Sequence, residues 1–264
     1  MAKAVSTQMH WTRSQILAAL HIYLQLPFGQ LHRGQPKIKQ LASWITRTPS
    51  AVALKLVNLA SLDPQIRASG RLGMTNASAL DELIWAELQQ RWDPVALEAA
   101  AEYEKLSIGH GVTPDETIPE DDLLFGEGRM RTANVEVRVN QSRFRRAVLA
   151  SHNATCCISG LRHERLVIAS HIVPWNEDST NRLNPQNGLC LSALHDRAFD
   201  QGLITVMPND YTVRVSANLF ALKTDKFLAD SLLKFDRQSI RFPERFRPAP
   251  EFLEKHARKF GFID

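Results

Sequence analysis

A chain of 264 residues, 44% hydrophobic and 23% charged, is long enough for two modest domains with real cores. The 32 basic against 28 acidic residues give a net charge of +4, too small an excess to name a polyanionic partner by itself. No apolar run is long enough to cross a bilayer, the N-terminus lacks the apolar stretch of a secretory signal, and three cysteines, two of them adjacent, make no disulfide framework, so the expected setting is the cytoplasm with no membrane contact.

The first hundred residues are predicted to be helical. Thr12 is a good N-cap for "RSQILAALHIYLQL", which Pro27, Gly29 and Gly34 break. "PKIKQLASWI" follows, with Pro36 suited to a first turn. Thr48 and Pro49 then open a helix whose apolar stripe is Ala53, Leu56, Val57 and Ala60. Helix, tight turn and helix together make a helix-turn-helix-like segment. If that segment reads DNA, Arg47, Ser50, Lys55 and Asn58 are the residues to face the groove. Two more helices are expected in "ASALDELIWAELQQRW" and "PVALEAAAEYEKL". Their tryptophans, like Trp11 and Trp44, sit at spacings typical of core.

Residues 107–134 carry Gly, Pro and acids with little periodicity and read as a linker between a helical, DNA-binding candidate domain (1–106) and a second domain (135–264). Charge is uneven here: Asp115 to Glu127 holds six acids and no Lys or Arg, and Arg129 to Arg146 holds six arginines and one acid. Within the helix "NQSRFRRAVLASH", Arg143, Arg145 and Arg146 are the candidates to contact phosphates, which position a duplex without reading its sequence.

"ERLVIASHIVPW" reads as a strand ending near His171, "NEDSTNRLNPQ" as a polar loop, "NGLCL" as a second short strand entered at Asn187, and "SALHDRAF" as a helix. Asp196 and Asp200 are four apart and share a helix face, where they repel unless a positive group sits between them. With His195 adjacent, that donor set suits a hard divalent ion such as Mg²⁺ or Mn²⁺. An imidazole facing such an ion from the strand, His171, can take a proton from water, and metal plus base suffice to hydrolyse a phosphodiester. "LITV" and "YTVRVS" then form a hairpin across "MPND", and "PAPEFLEKHARKFGF" closes the chain as an amphipathic helix.

"CISG" at Cys157 to Gly160, "SHIVPW" at Ser170 to Trp175, "NGLCL" at Asn187 to Leu191 and "HDRAFDQGLITV" at His195 to Val206 occur in the order of the HNH endonuclease family, which this segment resembles over roughly residues 134–260. The resemblance implies an α+β chain: an N-terminal all-helical domain linked to a C-terminal ββα-metal domain with flanking helices and a β-hairpin. It implies a DNA endonuclease of restriction or phage defence, with His171 as general base and Asn187 shaping the loop that orients it. The helix is implied to supply the metal ligands from among His195, Asp196 and Asp200. Two departures stand out. Ser170 occupies the position where many family members carry an acidic ligand. The helix histidine falls one residue before its usual place, which Asp196 takes, so which of the two binds metal stays open. Cys157 and Cys190 are too few for a structural zinc and are expected to be buried. A non-catalytic DNA-binding regulator with a decayed HNH scaffold is the rival, and a protein-interaction module a second. One site per chain makes a homodimer relevant to double-strand cutting.

Overall fold

A computed structural model describes residues 10–70, 76–112 and 128–264. The helical half consists of α1 (Arg13–Gln25), α2 (Pro36–Trp44), α3 (Pro49–Ala60), α4 (Pro64–Ala68), α5 (Ala79–Gln90) and α6 (Trp92–Gly109). Thr12 closes a capping box with Gln15, and every residue from Ile16 to Leu24 is buried. A helix apolar on all sides belongs in the middle of a bundle, and α1 is packed by α2, α3, α5, α6 and α7. Pro36, Pro49 and Pro64 all sit in first turns, where a missing N–H costs nothing.

The break between α5 and α6 falls at Arg91, with φ −140° and ψ 70°, rather than at Pro94, which is accommodated in the first turn of α6. The short helix α4, capped by Asp63, was not expected from the pattern. Of the predicted linker, 107–109 continue α6, and α7 (Gly128–Ser151) begins well before the expected "NQSRFRRAVLASH". Residues 113–127 of that linker lie outside the described residues.

The second half is mixed. Strand β1 (Val167–His171) pairs antiparallel with β2 (Gly188–Ser192), in a register that sets Val167 opposite Ser192 and His171 opposite Gly188. Helix α8 (Ala193–Asp200) follows without a loop, capped by Ser192, and packs on both strands. The expected hairpin is β3 (Ile204–Val206) with β4 (Val213–Val215), followed by α9 (Lys226–Ser231) and α10 (Pro250–Lys259). All three cysteines are buried and free. Among the described residues no helix is long and apolar enough to cross a membrane.

The two halves share one core. Phe246 meets the rings of Tyr23, Trp85 and Trp92 from the helical half. Arg245 is fully buried, donates to the Tyr23 and Leu26 carbonyls at 2.6 Å each, and lies over the Tyr23 ring. Those carbonyls end α1, so a buried guanidinium supplies the donors that the last turn lacks.

Of the polar residues of α3, Ser50 is exposed, but Lys55 and Asn58 do not face outward. Lys55 is 5% exposed, and its ammonium donates to both oxygens of Asp81, at 2.8 and 2.7 Å. Asn58 is buried and donates to the Asn76 carbonyl. Arg47 donates to Gln15 and to the His10 carbonyl, and stacks over Trp11. Helix α3 packs against α1, α2 and α5, and its outward residues are Ser50 and Leu54 rather than Lys55 or Asn58.

Candidate active site

The antiparallel register of β1 and β2 sets His171 at the open end of the pair, where the chain leaves β1 into the 172–187 loop. Its ring lies flat on Phe144 of α7, centroids 3.6 Å apart, and meets Trp175 edge-on at 5.6 Å. Nε2 lies 3.0 Å from the Arg182 carbonyl oxygen. A carbonyl can only accept, so Nε2 carries the proton, and a neutral ring must then leave Nδ1 with a bare lone pair. Burial holds the His171 pKa below its ordinary value, partly opposed by the bond to Arg182, so the neutral base is the form present at neutral pH.

Asn187 is 1% exposed, and its hydrogen bonds go to the chain beyond the ring. Its Oδ1 accepts from the Val173 N–H at 2.8 Å, its Nδ2 donates to the Val173 carbonyl at 3.1 Å, and its own carbonyl accepts from the Ile172 N–H at 3.0 Å. The two residues following His171 are thereby pinned, which aims the end of β1.

Gly188 is required for closeness. A Cβ there would stand 2.6 Å from Val148 Cγ2 and 2.8 Å from Phe144 Cζ. Gly188→Ala should therefore push Phe144 off the His171 ring. The expected cost is about 1–3 kcal/mol of overpacking, visible as a lower Tm, together with shifted His171 ring resonances. A normal melt with unchanged ring resonances would show that the stack absorbs the added carbon.

The helix residues diverge. His195 is 3% exposed; its Nδ1 faces the Ser192 hydroxyl at 2.8 Å and its Nε2 faces the Ser231 carbonyl at 2.9 Å. The carbonyl places the proton on Nε2, and Nδ1 faces both the Ser192 hydroxyl and Cys156 Sγ, the latter at 3.6 Å, so both ring nitrogens of His195 are engaged by protein groups. Asp196, one residue on, turns toward β1 and lies beside Ser170. Burial raises the Asp196 pKa, with Ser170 and Arg197 opposing. Asp200 is exposed, and its pKa is raised by partial desolvation and by the Asp196 charge.

Among the described residues no three His, Cys, Asp or Glu side chains converge as a ready-made cation site. A hard divalent ion does not need one: Mg²⁺ commonly uses one or two carboxylates and completes its shell with water and substrate phosphate. The buried Ser170 hydroxyl has no partner of regular geometry among the described residues, although it lies beside Asp196. A buried hydroxyl beside a desolvated carboxylate, with a second carboxylate close enough to repel it, fits such an ion.

The arginines of α7 have protein partners. Arg143 pairs with Glu104 of α6 and donates to Asn140. Arg145 donates to the carbonyls of Val167 and Glu164, bracing the start of β1. Arg146 donates to Ser142 and Gln25. Arg145 and Arg146 nevertheless line, with Lys37 and Arg162, an open groove of about 1160 Å³.

Sequence reasoning missed two neighbours of His171, Phe144 and Arg182, and a third residue, Asp93, that holds one of them. Phe144 was quoted only as part of a helix. The Arg182 guanidinium donates to the Trp175 carbonyl at 3.0 Å and stands over the Trp175 ring. Asp93, from α6, accepts the N–H groups of Arg182 and Leu183, at 2.9 Å each. No local motif marks any of them.

Residues 156–207 match the model of a protein family described as HNH endonuclease. That span opens at Cys156, includes both strands and α8, and closes just after β3. No curated protein was found to match the chain.

Proposed function

We propose that this chain is a metal-dependent DNA endonuclease in which His171 is the general base. The observation that carries the reading is the bare Nδ1 of a neutral His171, with Nε2 tied to the Arg182 carbonyl, at the open end of a ββα unit.

His171 Nδ1 takes a proton from a water as the water oxygen bonds to phosphorus. The bond from phosphorus to the leaving oxygen breaks in the same displacement. Phe144 and Trp175 hold the ring, and Asn187 fixes the chain beyond it. Asp196 with the Ser170 hydroxyl would hold a divalent cation, Mg²⁺ or Mn²⁺, and Asp200 would add negative charge beside it. When bound, that ion supplies positive charge to the phosphoryl and leaving oxygens.

Phosphates would run along the groove lined by Lys37, Arg145, Arg146 and Arg162, while Arg143 and Lys55 serve packing instead. The helical half then orients the cutting unit rather than reading a major groove. The burial of Lys55 and Asn58 favours this over the second reading, a non-catalytic DNA-binding regulator built on a helix-turn-helix. A cutter of this kind suits restriction or phage defence. One base per chain cuts one strand, so a double-strand break needs a second copy or a second encounter.

Supercoiled plasmid incubated with the protein should be nicked in Mg²⁺ or Mn²⁺ and left intact in chelator. A nicked-to-linear ratio independent of protein concentration speaks for sequential nicking; linear product rising with concentration speaks for a dimer. Intact plasmid with every divalent ion, on modified and unmodified DNA alike, would remove the nuclease reading.

A further inference from the structure

The carbonyl that accepts from His171 belongs to a peptide group that is engaged at both ends. Arg182 O takes the Nε2–H of His171 at 3.0 Å, and across the same amide the Leu183 N–H donates to Asp93 Oδ1 at 2.9 Å. The other oxygen of that carboxylate takes the Arg182 N–H, also at 2.9 Å. Asp93 is 8% exposed and comes from the first turn of α6, outside the segment that carries the ββα unit.

An amide whose N–H faces a carboxylate is polarised, and its carbonyl oxygen becomes a stronger acceptor. A stronger acceptor on Nε2 holds the proton there, and it stabilises the imidazolium that forms once Nδ1 has taken a proton. We propose that Asp93 is a positioning residue for His171. It acts through the Arg182–Leu183 peptide, holding the Arg182 carbonyl on Nε2 and so fixing the ring tautomer that leaves Nδ1 unprotonated. The inference deepens the reading of His171 as general base and rests on it.

Two charged groups act on Asp93. Asp178 in the 172–187 loop opposes its ionisation and Arg182 favours it. Burial is the larger influence and brings the carboxyl up to about 6, against the bonds from Leu183 and Arg182. The carboxylate is therefore charged at neutral pH and loses its charge on the acid side, where the support given to His171 would be withdrawn.

The test is Asp93→Asn in the full chain, read first by the ¹⁵N resonances of the His171 ring at neutral pH, which report the tautomer, and then by single-turnover cleavage. Asn can accept one of the two N–H groups, but turns a donor toward the other and carries no charge. The expected result is a ring that no longer holds its proton on Nε2 alone and a plateau rate reduced by roughly 10-fold or more, with DNA affinity unchanged. A folded variant whose His171 tautomer matches the wild type overturns the proposal. If the variant does not fold, the wild-type protein carries the test. Protonation of Asp93 must then move the Leu183 amide and the His171 Nε2–H resonances with one shared midpoint, and a Leu183 step without a response at His171 overturns the proposal. The ring resonances need no cleavage, so a protein that cuts nothing can still confirm or overturn the link from Asp93 to His171.

Discussion

His171→Ala is expected to slow DNA cleavage by roughly 10²- to 10⁴-fold, the range that a positioned general base contributes. The substitution also removes a ring stacked on Phe144, so loss of packing has to be separated from loss of chemistry. His171→Phe does this: it restores a flat ring against Phe144 and Trp175 but has no nitrogen. Both variants should cleave equally poorly, while His171→Phe melts closer to the wild type. Neither should weaken DNA binding, because the basic groove at Lys37, Arg145, Arg146 and Arg162 does not include His171. Cleavage by His171→Phe at the wild-type rate would mean that another group takes the proton.

The second large effect is on stability. Lys55→Met leaves Asp81, which is 0% exposed, with a charge that no ammonium neutralises. Removing one partner of a buried ion pair costs about 3–5 kcal/mol. For a chain of this size that corresponds to a Tm lower by roughly 10 °C. Methionine keeps most of the lysine stem's volume, so the loss reports the charge rather than a cavity. Asp81 also accepts the N–H and hydroxyl of Ser78 and so starts α5. For that reason the double variant Lys55→Met, Asp81→Leu should recover only part of the loss. A single variant that melts within 2 °C or so of the wild type would show that the pair is bypassed by water or by local rearrangement.

The ββα arrangement was legible because its parts are close in sequence. His171 and Asn187 are joined by a single loop, and antiparallel pairing brings the ends of β1 and β2 together. The choice between His195 and Asp196 was not legible. Neighbours on a helix point about 100° apart, and only the placement of α8 on the strands decides which one faces Ser170. Lys55 was misread because periodicity identifies an apolar stripe but not what covers the opposite face. There, α5 brings a carboxylate to it, 26 residues further on. Asp93 lies 89 residues before its partner Arg182 and belongs to a different half of the molecule, so no spacing rule could connect them. The single break between α5 and α6 followed the backbone at Arg91 instead of the proline, which a first turn tolerates.

The most direct measurement of the central claim is the pH dependence of single-turnover cleavage of one defined duplex by the wild-type protein in Mg²⁺. Burial lowers the His171 pKa below its usual value, so the base is protonated and idle only on the acid side. The rate should rise with pH through a midpoint below about 6.5, then level off and stay flat through neutrality. A rate that keeps climbing tenfold per pH unit to pH 9 or so would make hydroxide, not His171, the source of the nucleophile and would contradict the account.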